Sequence, residues 1–130
     1  MSKRVLTVDD DPDITMFVKT VLEENGYVPL IARNGETGFS IAKDECPDLI
    51  ILDVLMPRQS GIRMYRGLKD DEILRDIPVI ILSGIARRTF LRSQEALTEF
   101  GDQPVPEPEV YMEKPVEPSE LADAVKNLIG

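Results

Sequence analysis

The sequence predicts an α/β domain built on a five-stranded parallel sheet of order 2-1-3-4-5, doubly wound, with helices on both faces. Three observations carry this. Val5-Leu6-Thr7-Val8, Leu49-Ile50-Ile51-Leu52 and Val79-Ile80-Ile81-Leu82 are nearly continuous apolar runs, and strands apolar on both faces belong in a parallel sheet covered by helices. Stretches of helical periodicity separate them, and the connections are short. Strands alternating with helices through right-handed crossovers give an open sheet, for which this order is a common solution.

The first strand is Val5–Val8. The helix after it begins at Asp11-Pro12, a capping carboxylate followed by proline at the first helical position. Its apolar stripe is Ile14, Phe17, Val18, Val21 and Leu22, and Asn25-Gly26 ends it with a left-handed cap. Tyr27–Ile31 is a weaker strand suited to a sheet edge. Asn34-Gly35 opens the second helix, with Phe39, Ala42 and Cys46 expected on one packed face; Gly38 within it costs about 1 kcal/mol relative to Ala. The third strand is Leu49–Leu52, the third helix Ser60–Asp70, the fourth strand Val79–Leu82, and the fourth helix runs from about Arg87 to Phe100. Residues 101–109 hold three prolines and three acids, which excludes helix or central strand and predicts a stiff acidic surface loop. Val110–Met112 is the second edge strand, and Pro118–Ile129 the last helix, with Leu121, Val125, Leu128 and Ile129 inward.

At 130 residues and 42% hydrophobic content, residues 1–130 are expected to form a single domain with a real core. A formal charge of −9 repels nucleic-acid phosphates and anionic membranes, so direct nucleic-acid binding is not expected. The apolar stretch near the amino terminus is too short for a signal peptide or membrane span, which predicts a cytoplasmic protein. Cys46 has no second cysteine to pair with and reads as inert packing. The chain contains no histidine, which excludes a Ser-His-Asp triad, a histidine-ligated metal and a phosphohistidine of its own. Chemistry must rest on carboxylates, hydroxyls and lysine.

Open α/β sheets bind ligands beyond the carboxyl ends of their strands. The first strand ends in Asp9, Asp10 and Asp11, the third in Asp53, the fourth in Ser83-Gly84 and the fifth in Glu113-Lys114-Pro115. The first and third strands are neighbours in the expected order, so Asp9, Asp10 and Asp53 would crowd together and repel unless a proton or cation intervenes. Lys114 alone leaves the site net negative. Mg²⁺, a small hard cation that takes oxygen ligands, resolves the conflict. Taken singly, these residues read as a turn with a helix cap, a strand terminator, a turn hydroxyl and a solvated cation. Their joint placement after four strands favours a functional site.

The pattern Val8-Asp9-Asp10, Leu52-Asp53-Val54-Leu55-Met56-Pro57 with Gly61, Ser83-Gly84 and Lys114-Pro115 resembles the receiver domain of two-component response regulators, over essentially the whole chain. The resemblance implies a flavodoxin-like fold and a phosphoacceptor role for Asp53. It implies Asp10, Asp53 and the Leu55 backbone carbonyl as direct Mg²⁺ ligands, with Asp9 a ligand through water. Ser83 and Lys114 would hold phosphoryl oxygens, assisted by the backbone at Gly84. Ser83 and Tyr111 would form the switch pair, a cis peptide would join Lys114 to Pro115, and the fourth helix, fifth strand and fifth helix would form the output face. The implied partners are a sensor histidine kinase or histidine phosphotransfer protein as donor and an unidentified output partner or domain. Homodimerisation on phosphorylation is a further implication. The protein would be a switch rather than a turnover enzyme.

Two departures from the family pattern stand out. Thirty residues separate Ser83 from Lys114, more than usual, and include the acidic proline-rich loop. Leu55 and Ile85 are apolar where some relatives carry polar side chains that position the hydrolytic water, which predicts a long-lived phosphoryl group. Three competing readings differ in their demands. A phosphorylation-independent docking or dimerisation module would not need Asp10, Asp53, Ser83 and Lys114 together. A flavodoxin-like electron carrier would need a phosphate-binding loop after the first strand, which is missing. An aspartyl-phosphate phosphohydrolase would need a second carboxylate two residues after its nucleophile, where Leu55 stands.

Overall fold

The computed structural model describes residues 2–99 and 106–130. Five parallel strands, β1 (Arg4–Val8), β2 (Val28–Ala32), β3 (Leu49–Leu52), β4 (Val79–Ser83) and β5 (Val110–Glu113), form one sheet in the order β2-β1-β3-β4-β5. Five helices alternate with them: α1 (Pro12–Glu24), α2 (Gly35–Glu45), α3 (Ser60–Asp70), α4 (Arg87–Glu99) and α5 (Pro118–Ile129). The second strand starts one residue later than its composition suggests, because Tyr27 closes the turn after α1 through a hydrogen bond to the Leu22 carbonyl and then packs in the core. Phe100 and residues 101–105, assigned above to the fourth helix and the acidic loop, lie outside the described residues. Two short 3₁₀ turns, Pro57–Gln59 and Leu74–Asp76, were not anticipated.

Side chains alternate across a strand, and the three central strands use both faces. Leu6, Val8, Ile50, Leu52, Val79 and Ile81 join the core beneath α2, α3 and Phe90 of α4. Val5, Leu49, Ile51, Ile80 and Leu82 join the opposite core, closed by Val18, Val21 and Leu22 of α1 and by Leu121 and Val125 of α5. This double burial is why those strands lack polar alternation.

The caps follow the sequence signals. Asp11 accepts from the Asp13 N–H and Asn34 from the Thr37 N–H, while Gly26 takes φ 84° after α1. Cys46 departs from expectation: it is exposed rather than packed. It is the C-cap of α2 at φ 44°, and this left-handed turn swings its side chain off the helix's apolar face.

Gly38 is explained by proximity. A Cβ there would lie 2.8 Å from Val8 Cγ2 and 2.9 Å from Met64 Sδ, so the glycine lets α2 sit down on β1 and α3. Gly38→Ala is expected to lower stability by roughly 1–2 kcal/mol in urea denaturation, because overpacking exceeds the gain of about 1 kcal/mol in helix propensity. A more stable variant would contradict the packing argument.

Residues 106–109, the described segment ahead of β5, contact α3, α4 and β4. The Tyr65 hydroxyl donates to the Pro106 carbonyl, Arg87 pairs with Glu107 at 3.2 Å, and Glu109 accepts from the Val79 N–H at 2.8 Å with the Lys69 ammonium 3.7 Å away. The described acids of this segment, Glu107 and Glu109, remain at the surface, each tied to the protein by these contacts.

Candidate phosphoryl-transfer and metal site

The carboxyl ends of the strands are held in register by backbone bonds that continue past them. Asp9 N–H donates to the Ala32 carbonyl at 3.1 Å, Asp53 N–H to Val8 at 2.9 Å, and Lys114 N–H to Ser83 at 2.8 Å. Asp9, Asp53 and Lys114 each follow a strand directly, so this ladder fixes where their side chains emerge.

Asp9, Asp10 and Asp53 meet, with one carboxylate oxygen from each lying within 4.8 Å of the others. Asp9 and Asp53 are buried, at 2% and 4% exposure, whereas Asp10 faces solvent. Lys114 reaches into the cluster, its ammonium 2.9 Å from Asp9 and 3.5 Å from Asp53. Burial pushes the Asp9 carboxyl above its ordinary value, against the lowering effect of Lys114 and the Asp11 N–H, and the Asp53 charge adds to the rise. Burial works against the Lys114 cation, but the two carboxylates outweigh it and hold its pKa above the usual lysine value. Three carboxylates against one ammonium leave an anionic pocket of hard oxygen donors, part buried and part open. This donor set fits Mg²⁺, which uses one or two carboxylates and keeps several waters.

The two oxygens of Asp53 differ. Oδ1 accepts from the Leu55 N–H at 2.9 Å, while Oδ2 faces the Lys114 ammonium. The Leu55 side chain is 60% exposed above the site. Gly61 lies beneath: a Cβ there would be driven into the Asp53 carbonyl oxygen and lie 2.7 Å from Val54 Cα. The glycine of the sequence pattern is required by this close approach of α3 to the Asp53 backbone.

Ser83 is completely buried at the end of β4, its hydroxyl accepting from the Ile85 N–H at 3.3 Å, and Gly84 is exposed beside it. Tyr111 is half-buried, its ring 5.5 Å from that of Phe90 and its hydroxyl donating to the Ile85 carbonyl at 2.6 Å. Burial, with the charges of Glu113 and Asp53, pushes its pKa up to about 12, so it remains a donor at neutral pH. The peptide between Lys114 and Pro115 is cis.

One residue was missed. The carbonyl of Ala86 accepts the first bond of α4, from Phe90, but alanine has no side chain with which to cap the helix. Glu113, next to Lys114, supplies the missing acceptor and takes the Arg87 N–H at 3.0 Å. The β4–β5 register places Glu113 opposite Ser83, and no local sequence signal gives that pairing.

Comparison with known proteins agrees with this fold. The model of the response regulator receiver domain matches residues 5–126. The polar-differentiation response regulator DivK of Brucella ovis is 30% identical over 130 residues, which cover 100% of this chain and 98% of that protein. Among solved structures, the signal receiver domain of a signal transduction histidine kinase from Syntrophus aciditrophicus has a TM-score of 0.82 at 35% identity, covering 98% of this chain and 90% of that one. The receiver domain of the Francisella response regulator 1452 has a TM-score of 0.78 at 30% identity, covering 98% and 97%.

Proposed function

Since the chain belongs to the response regulator receiver domain family, we propose that it is a phosphorelay switch that takes a phosphoryl group from a phosphohistidine onto Asp53. The observation that carries this reading is the meeting of buried Asp53 with Asp9, Asp10 and Lys114 at the strand ends. Asp53 Oδ2, which has no backbone donor among the described residues, attacks phosphorus; the phosphorus–nitrogen bond breaks, imidazole leaves, and an acyl phosphate remains on Asp53. Lys114 offsets charge on the phosphoryl oxygens, and Ser83 with the Gly84 backbone binds them as they arrive. Asp10, Asp53 and the Leu55 carbonyl would hold Mg²⁺ directly and Asp9 through water; the ion supplies electrostatic stabilisation of the transferring phosphoryl group.

With no histidine of its own, the chain needs an external donor: a sensor kinase, a phosphotransfer protein, or a small acyl phosphate. Among the described residues no helix is long and apolar enough to cross a membrane. The output follows from Ser83. If its hydroxyl turns to the phosphoryl group, it releases the Ile85 N–H, and the bond from Tyr111 to Ile85 is free to rearrange. That biases α4, β5 and α5, which an output partner or a second copy would read.

The test is incubation with acetyl phosphate and Mg²⁺ followed by intact mass measurement. One added phosphoryl group is expected, lost in Asp53→Asn and with chelator. A folded protein that neither labels nor binds beryllofluoride would instead be a phosphorylation-independent module. The apolar Leu55 and half-buried Ile85 offer the hydrolytic water no polar side chain. The phosphorylated protein is therefore expected to outlast Leu55→Asn/Ile85→Glu in a decay assay without kinase or phosphatase. Equal half-lives would remove that explanation of lifetime.

A further inference from the structure

Beside the acidic site lies a groove of about 710 Å³ between α2 and α3, with Phe39, Met64 and Pro57 as apolar lining and Arg33, Arg58 and Arg63 as its cations. Its volume falls in the range of small-molecule sites, roughly 300–1,000 Å³. The Phe39 ring lies over Gly67, 3.3 Å from where a Cβ would stand, so α3 presents bare backbone there. The three arginines come from separate parts of the chain: the turn after β2, the turn after β3, and α3. All three are exposed, and none forms an ion pair among the described residues. On a chain of formal charge −9, the three guanidiniums outnumber the two carboxylates of the lining, Asp10 and Glu36, by one, which gives the groove a small local excess of positive charge.

We propose that this groove binds a small aromatic phosphate, its ring on Phe39 and Met64 and its phosphate held by Arg33, Arg58 and Arg63. Guanidinium forks match phosphate oxygens in geometry and charge. Asp53 does not line the groove although Asp10 does, and the binding proposed here requires no phosphoryl transfer.

The test titrates 1-naphthyl phosphate into the ¹⁵N-labelled full chain carrying Asp53→Asn, without Mg²⁺, and follows amide shifts. Shifts centred on Gly35, Phe39, Arg63 and Gly67 are expected, with at least tenfold weaker binding in Arg58→Ala/Arg63→Ala and in high salt. 1-Naphthol and inorganic phosphate, which each carry half of the recognised chemistry, are expected to bind at least tenfold more weakly. Both arginines are exposed, so an unchanged amide spectrum elsewhere certifies the fold of the variant. Equal binding by 1-naphthol, equal binding by phosphate, an unaffected double variant, or shifts mapping to another face would each overturn the proposal. Retained binding in Asp53→Asn, alongside failed labelling of the unsubstituted protein, would separate failure of the relay reading from failure of this one.

Discussion

Lys114→Met is expected to slow phosphorylation of Asp53 by acetyl phosphate by ~10²–10³-fold, the usual effect of removing one electrostatic donor from a transfer site. The ammonium stands 2.9 Å from Asp9 and 3.5 Å from Asp53, and Met retains much of the apolar stem while deleting the charge. The same substitution leaves three carboxylates without a protein cation, so the affinity for Mg²⁺ should stay the same or rise. Initial labelling rates at saturating Mg²⁺, together with a direct metal titration, check both halves. If metal affinity falls in step with the rate, Lys114 organises the site as a whole and does not act on the phosphoryl group.

Gly61→Ala is expected to destabilise the protein by roughly 3–5 kcal/mol, within the range reserved for severe overpacking and backbone strain. Its new methyl would meet the Asp53 carbonyl oxygen and Val54 Cα, and backbone cannot step aside as a side-chain tip can. Relief requires either α3 or the Asp53 segment to move. Any folded fraction should therefore phosphorylate poorly, because the oxygens of Asp53 are placed by that backbone. Urea midpoints measured beside labelling rates test this; normal stability with normal labelling would refute the close approach.

Much of this site was legible in the sequence because local rules and one topological rule sufficed. Continuous apolar runs specify buried parallel strands, whose ends carry Asp9, Asp53 and Ser83, while Lys114 follows the second edge strand. The capping roles of Asp11 and Asn34 are equally local. What escaped depended on distant contact. Gly38 reads as a propensity defect until Val8 and Met64 are placed against it. Cys46 falls on the packed side of the helical repeat, but the helix ends there and the chain turns left-handed. Glu113 reads as one more surface acid until strand register sets it against the start of α4. The groove beside α3 involves three separated arginines that form no motif.

The strand order has a consequence for synthesis. Every pairing in the sheet is parallel, and β1 lies between β2 and β3. A chain emerging from the ribosome can form no two-strand hairpin, and its first strand keeps one edge open until Leu49–Leu52 has been made. β4 keeps its own outer edge open until Val110–Glu113 docks, the step that also delivers Lys114 to the acids. Non-local parallel pairing is slow and leaves edges exposed to aggregation. The nascent protein is therefore expected to bring Lys114 to its acids only when the last strand docks, so that a copy lacking β5 accepts phosphoryl groups more slowly than a finished one.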